Sequence, residues 1–379
     1  MDRIPSPWLP GTLVLVALLV GCDSGGEGAW NGPGTSVKVM TRNVYLGGEF
    51  DSLIGAQTMA QLPGMVDTFW KGVQASDFPA RAALIADEVA AEEPDIVAFQ
   101  ELELFRIQTP SDFDPKAAPN AADTAPNGDL LAILTAALAA RGLDYGEAVA
   151  VATHTDTEMP GADASSGATY DLRLTDRDAV FARPGLRVSN VRTADFPTFI
   201  SLPVPLSSLG VGILVQLKRG YSAMDVTAPD VAQFTFAATH LEVGGQASAY
   251  QEGEARDLMT ALAPIAGPLV LVGDFNSAAN VPSTQSYSIV TRSFTDVWSQ
   301  VKPTDPAPTC CTDITSPAPA PTDRIDLVLY RGPVRPQAAE RTGTDPAERT
   351  ASGLLPSDHQ GVAATLTVGF PTAASEPGP

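Results

Sequence analysis

Pro268-Leu269-Val270-Leu271-Val272-Gly273-Asp274-Phe275-Asn276 runs from an unbroken aliphatic segment straight into Gly-Asp-Phe-Asn. A run without polar alternation fits a strand covered on both faces, ending where a carboxylate and an amide emerge. Asp95-Ile96-Val97-Ala98-Phe99-Gln100-Glu101 repeats that design, with a continuous apolar centre and a polar end. Two such runs imply buried sheets. Helices are predicted at Phe78 to Glu92, stopped by Pro94, at Leu130 to Ala140, stopped by Gly142, and at about Ala247 to Leu262.

Working outward, further strands are expected at Val37 to Met40, Ala148 to Thr153, Ala179 to Ala182, Val211 to Leu217, Val231 to Thr239, Ile325 to Tyr330 and Gln360 to Val368. Leu104 to Gly128, Lys302 to Pro321 and Thr342 to Pro356 read as loops, the first two from their proline content. No repeat and no interior linker divides the chain. Strands alternating with a few helices and long loops give a mixed α/β class, with function carried on loops at strand ends.

The 379 residues carry 23 Lys+Arg against 44 Asp+Glu, a net charge of −21, with 44% hydrophobic residues. Length alone suggests about two domains, but large α/β domains run to about 250 residues or more as one unit. Such acidity opposes a protein that coats DNA or an anionic bilayer, because phosphate contacts rely on clustered Lys and Arg. It does not oppose phosphodiester cleavage in a cleft where a divalent cation supplies the positive charge.

Trp8 to Val20 is a short apolar run behind Arg3, and Leu19-Val20-Gly21-Cys22 closes it. It is too short to span a bilayer comfortably. Its small-residue end resembles a bacterial lipobox, so residues 1–21 are expected to be a lipoprotein signal peptide and Cys22 the lipid attachment site. Residues 22–36, rich in Gly, Ser and Asp, are read as a flexible tether, 37–368 as the folded domain and 369–379 as a disordered tail. The expected location is the bacterial cell envelope, with the lipid anchor as the only membrane contact. Cys310 and Cys311 are adjacent and no zinc-type spacing exists. A bond between neighbours, an intermolecular bond and free thiols all stay open.

Six apolar segments end in polar clusters: Thr41-Arg42-Asn43, Gln100-Glu101, Thr239-His240-Leu241, Gly273-Asp274-Phe275-Asn276, Arg324-Ile325-Asp326 and Ser357-Asp358-His359. Hydrolysing a phosphate ester needs an oxygen-ligated cation, a base to activate water and a group to stabilise the leaving oxygen. These clusters contain those residue types. Singly, each is a common turn or strand end. In this order they resemble the motifs of the endonuclease/exonuclease/phosphatase superfamily, over about Val37 to Val368.

The resemblance implies a four-layer α/β sandwich, two packed mixed sheets with helices outside, and a metal-dependent phosphoesterase using Mg²⁺, or Mn²⁺ or Ca²⁺. Glu101 would be the main metal ligand with Asn43 close by, and Asp274 and Asn276 would position the attacking water and the phosphate. Asp326 would orient His359. His240 matches the second histidine of members resembling deoxyribonuclease I and bacterial sphingomyelinase, which protonates the leaving oxygen or stabilises the phosphorane. Asp358 would contribute to the electrostatics on the metal side. A carboxylate behind a histidine also has a direct physical meaning, since it fixes the tautomer and raises basicity. His154, in Thr153-His154-Thr155-Asp156-Thr157, matches no motif and is read as a surface loop residue outside the site.

Other hydrolytic signatures are missing: no Gly-x-Ser-x-Gly elbow, no His-Glu-x-x-His and no Walker A lysine. The expected reaction is nuclease-like hydrolysis of a phosphodiester by direct attack of water, with a sphingomyelinase-like phospholipase C or an inositol-polyphosphate-like phosphatase as the runner-up. The substrate is thus a phosphate ester, nucleic acid or a phospholipid or inositol phosphate headgroup, and no protein partner is predicted. A nuclease should gather arginine beside the site, and Arg173, Arg177 and Arg183 are the visible concentration. Arg177-Asp178 itself reads as a salt-bridged strand start. A lipid-directed enzyme should expose apolar loops, for which Leu104-Phe105 and Phe196 to Leu209 are candidates. A tethered binding module on the same fold is the non-enzymatic alternative.

Overall fold

The computed structural model describes residues 34–48, 53, 58, 60–206, 211–228 and 233–369. The expected signal peptide, Cys22, most of the tether and all but the first residue of the expected tail lie outside the described residues. In chain order the elements are β1 (Thr35–Asn43), α1 (Leu62–Ala75), α2 (Phe78–Glu92), β2 (Ile96–Gln100), β3 (Leu104–Gln108), β4 (Thr124–Asp129), α3 (Leu130–Ala140), β5 (Ala150–Ala162), β6 (Thr169–Ala182), β7 (Arg187–Asp195) and β8 (Ile200–Leu206). They continue with β9 (Val211–Leu217), β10 (Gly220–Thr227), β11 (Gln233–His240), α4 (Ser248–Leu262), β12 (Leu269–Asp274), α5 (Ser286–Val290), β13 (Thr295–Asp296), α6 (Val297–Val301), β14 (Asp326–Arg331), β15 (Val334–Thr342) and β16 (Gly361–Val368).

The unbroken apolar runs are strands buried on both faces. Along β2, Ile96 and Ala98 pack into the core between two sheets, while Val97 and Phe99 pack against the helices outside. Along β12 the same alternation sends Val270 and Val272 between the sheets and Leu269 and Leu271 toward α4. Four layers result. Helices α1, α2 and α3 cover an eight-stranded sheet ordered β15-β16-β1-β2-β6-β3-β4, with β5 also on β6. The second sheet, ordered β13-β14-β12-β11-β10-β7, carries α4 and α5 on its outer face. This is the mixed α/β sandwich that the resemblance implies.

The topology gathers the polar strand ends. β1 and β2 run parallel with Asn43 beside Gln100, and β11 and β12 run parallel with His240 beside Asp274. β14 is antiparallel to β12 and begins at Asp326, opposite Asp274. Each polar cluster therefore reaches the same edge of the sandwich. Gly273 sits at φ +146°, and a Cβ there would collide with the Thr239 carbonyl oxygen, so only glycine permits this pairing of β11 and β12.

Several segments differ from their sequence reading. Leu104 to Gly128 is not one long loop, because β3 and β4 pair within it and Phe105 is fully buried against Trp70, with ring centroids 5.3 Å apart. Phe196 to Leu209 contains β8, which pairs with β9 in a separate two-stranded ribbon, and Phe196 and Ile200 are buried. Pro336 disguises β15 and lies at a register shift against β16, the position where a strand tolerates proline. In α1 the spacing of Val66, Phe69, Trp70 and Val73 buries one helical stripe that the sequence reading passed over.

Candidate active site

Glu101, His240, Asp274, Asn276, Asp358 and His359 line one cleft of about 310 Å³. Asn43 and Asp326 stand behind its wall, both essentially inaccessible. Two buried arginines build the rim. Arg81 donates to the carbonyls of Val44, Tyr45, Ser76 and Pro356, tying the loop after β1 to the one before His359. Arg42 pairs with Glu88 and donates to the His359 carbonyl at 2.6 Å. Tyr45, Glu101 and Asn276 all adopt left-handed backbone, at φ 60°, 63° and 48°. Non-glycine residues held there cost about 1 kcal/mol or more each and cluster where structure is shaped by function.

Asn43 is the hub. Its Nδ2 donates to Glu101 Oε1 and to Asp274 Oδ2, each at 3.0 Å, and its Oδ1 accepts from Tyr45 N. Glu101 Oε2 accepts from Leu46 N at 2.8 Å. Burial raises the Glu101 carboxyl above its ordinary range, and the nearby charge of Asp358 adds to this. Glu101 and Asp358, two carboxylates that feel each other's charge at the cleft, are hard oxygen donors of the kind that hold Mg²⁺, Mn²⁺ or Ca²⁺, and Asn43 holds Glu101 in place from behind. The residues present therefore fit a divalent cation.

His359 Nδ1 lies 2.9 Å from Asp326 Oδ2, so in the neutral ring the proton is held there and Nε2 carries the lone pair. Nε2 lies 3.7 Å from Asp274 Oδ2. Burial alone depresses the imidazolium, but the charges of Asp326, Asp358 and Asp274 outweigh it and raise His359 well above the ordinary histidine value. Asp274 is pushed up to about 7, chiefly by burial, with the charge of Asp326 adding and that of His359 opposing.

His240 Nε2 approaches the same Asp274 oxygen, also at 3.7 Å. Its setting is the reverse of that of His359. Arg219 Nη1 lies 3.2 Å from Nδ1, and burial followed by the charges of Arg219 and His359 lowers His240 well below the ordinary value. A guanidinium only donates, so Nδ1 accepts from Arg219, while Nε2 faces Asp274 and, at 3.3 Å, Asn276 Nδ2.

Residues 43–359 match the model of the Endonuclease/Exonuclease/phosphatase family. The chain belongs to that family. Its members are hydrolases acting on phosphate ester bonds, and family nucleases typically use divalent metals. No curated protein sequence matches the chain. Among solved structures, the chain is similar to an endonuclease/exonuclease/phosphatase from Beutenbergia cavernae DSM 12333, at 21% identity and TM-score 0.52, over 88% of this chain and 72% of that one. It is also similar to a family protein from Bacteroides thetaiotaomicron, at 16% identity and TM-score 0.49, over 89% of this chain and 100% of the other. TDP2 from D. rerio, complexed with single strand DNA product, is similar at 15% identity and TM-score 0.49, over 88% and 99%. At 21% identity the first likeness is one of fold.

Around the family motifs the structure adds residues that the sequence reading missed. Arg219 pairs with Asp176 at 3.0 Å and Glu242 at 3.5 Å, and it is the arginine that lines the cleft. Arg173 and Arg177, where a concentration was expected, pair instead with Asp156 and Asp129. Arg177-Asp178 lies within β6 instead of starting it. Asp176 and Asp178 are two apart on β6, hence on one face, and both are buried. Asp178 reaches to 4.0 Å from His240 Nδ1. His154 is not a surface loop residue. A register shift in β5 between Thr153 and Asp156 turns it inward, where Nδ1 is 2.9 Å from Asp195 and Nε2 is 3.7 Å from Asp178. Burial opposes its charge, but the Asp178 carboxylate and the hydrogen bond to Asp195 raise it to about 10. The signal in sequence was Thr175-Asp176-Arg177-Asp178, whose alternation could have placed both carboxylates on one strand face.

Proposed function

We propose that the chain is a metal-dependent phosphodiesterase that hydrolyses its substrate by direct attack of water. The observation that carries this is the convergence of His240 and His359 on one Asp274 oxygen from opposite electrostatic settings. Paired titratable groups whose surroundings drive them apart mark a division of acid-base roles. His359, held by Asp326, activates the water. Asp274 and Asn276 position the water and the phosphate. His240, neutral beside Arg219, donates its Nε2 proton as a hydrogen bond to the phosphorane, and this setting favours stabilisation over proton transfer to the leaving oxygen.

Glu101 and Asp358, with Asn43 fixing Glu101, would hold Mg²⁺, which when bound polarises the phosphoryl oxygen. Asp358 is among the carboxylates that raise His359, so loading the site weakens that part of the field and favours the neutral base. Arg219 gives the cleft a fixed positive charge that suits a phosphodiester anion. Export and a lipid anchor at Cys22 belong to the same proposal, supported by Leu19-Val20-Gly21-Cys22.

Turnover of an aryl phosphodiester by the full chain, measured in Mg²⁺ and in EDTA with His359→Ala alongside, tests the reaction. Metal-dependent turnover lost in the variant supports it, and a folded chain inert with Mg²⁺, Mn²⁺ and Ca²⁺ refutes it. For the anchor, mass spectrometry of the mature N-terminus should find a diacylated Cys22. An unmodified Cys22, still preceded by residues 1–21, refutes that part.

A further inference from the structure

Cys310 and Cys311 are joined by a disulfide, and Cys310 Sγ lies 3.3 Å from Nε2 of His359. Cys310 is buried whereas Cys311 is exposed on the cleft wall, so solvent reaches the bond from the active-site side. Both sulfurs and His359 Nε2 fall within 4.8 Å of one another. In the neutral ring that nitrogen is the one with the lone pair, because Asp326 holds the proton on Nδ1.

We propose that the reduced form of this pair makes, with His359, a site for a thiophilic divalent ion such as Zn²⁺, and that filling it withdraws His359 from catalysis. The inhibition rests on the phosphodiesterase reading; the metal site does not. Opening the site is a two-electron reduction, for which a trialkylphosphine serves. The S–S bond breaks, phosphorus is oxidised and takes the oxygen of water, and the two protons of water go to the two sulfurs. Binding of the ion then releases both thiol protons and the Nε2 proton of the imidazolium, and forms two metal–thiolate bonds and one bond to Nε2.

The donors are spaced for such an ion. Bonds of about 2.3 Å to sulfur and 2.0–2.1 Å to nitrogen put tetrahedral donors about 3.5–3.8 Å apart. The sulfur and nitrogen are already at 3.3 Å, and two released sulfurs separate toward van der Waals contact, near the upper figure. The backbone keeps them in place without the disulfide. Cys310 bridges Asp323 in both directions, Gln360 N donates to Thr309 O at 2.7 Å, and Thr312 N donates to Asp358 O at 2.9 Å, on either side of His359. The Asp326 carboxylate behind the ring is the outer partner that metal-bound histidines usually have. Thiolates favour Zn²⁺ over Mg²⁺, so the oxidised and reduced forms select different ions at adjoining sites.

Co²⁺ is added to the full chain, untreated and after phosphine reduction, and to Cys310→Ser/Cys311→Ser and His359→Ala. One equivalent should give thiolate-to-cobalt charge-transfer and tetrahedral visible bands in the reduced chain alone, with affinity at least about tenfold lower in His359→Ala. Zn²⁺ at one equivalent should then reduce turnover in excess Mg²⁺ by at least about tenfold in the reduced chain and not in the oxidised one. Absence of the bands after confirmed reduction overturns the metal site, and equal affinity in His359→Ala overturns the part given to His359. Because the cobalt spectrum needs no turnover, an inactive enzyme leaves this test intact.

Discussion

Asn43 Nδ2 donates to Asp274 Oδ2 at 3.0 Å, joining the end of β1 in one sheet to the end of β12 in the other. The same nitrogen holds Glu101, so one amide sets the spacing of two carboxylates that would otherwise repel. Asn43→Ala should lower kcat and Mg²⁺ affinity about 10–100-fold each, the usual cost of losing a group that orients a metal ligand. Mg²⁺ titrations of turnover read both. An unchanged Mg²⁺ dependence would remove Asn43 from the metal side of the site.

In the proposed reaction Asp326 acts on the substrate only through His359. In Asp326→Asn the ring loses its anionic partner and its fixed tautomer, while shape is kept. Loss of such a carboxylate behind a catalytic histidine costs about 10⁴ in kcat in the best-known triad, so a fall of about 10²–10⁴ is expected here. Steady-state kinetics measure it, and the histidine nitrogen NMR signals report the tautomer. Full activity with a changed tautomer would show that proton placement on His359 does not matter.

Arg219 is a buried cation between Asp176 and Glu242, with side chains 18%, 7% and 9% exposed. Arg219→Met leaves two carboxylates without their counter-charge, which costs about 3–5 kcal/mol when one partner of a buried pair is removed. Denaturant unfolding measures that loss. In the same variant His240 should titrate closer to an ordinary histidine, because one of the charges holding it down is gone. A His240 titration unmoved by the substitution would assign its depression to burial alone.

The sequence showed the fold wherever a strand was buried on both faces. β2 and β12 are continuous apolar runs, and the order of their polar ends with the other clusters brought out Glu101, Asp274 and Asn276 through the family resemblance. It concealed strands whose composition is polar or broken. β15 contains Pro336 at a bulge, and β7 is an edge strand with an almost wholly exposed surface, so neither presents a hydrophobic period. The parts of the site legible in sequence are those at strand ends followed by tight turns, where backbone geometry restricts the residue type. Arg219 was illegible for a different reason, and the shared face of Asp176 and Asp178 could be read but not what it faces. Their meaning depends on β6 and β10 lying beside His240, a long-range pairing that no local pattern announces. His154 needed a bulge to turn inward.

Glu254, on α4, gives the pH dependence a definite sign. Its Oε2 accepts from Glu242 N at 2.7 Å, while Oε1 is buried without a hydrogen-bond partner. Burial is the main cause that raises its carboxyl from 4.5 to about 8; the bond from Glu242 N opposes this and the charge of Glu242 adds to it. Between those values the folded chain keeps a proton that the unfolded chain releases. The protonated group therefore contributes its full stability below about pH 4.5, and that contribution is lost as pH rises through 8. Glu254→Gln keeps an acceptor for Glu242 N and never ionises. It should change stability little at pH 5, and between the two values the gap should open by up to about 1.4 kcal/mol per pH unit, leaving the variant the more stable above pH 8. Urea unfolding at pH 5, 7 and 9 gives the difference directly. A gap between the two proteins that stays constant over that range would mean that Glu254 ionises in the folded chain as easily as in the unfolded one, with Arg219 supplying the compensation.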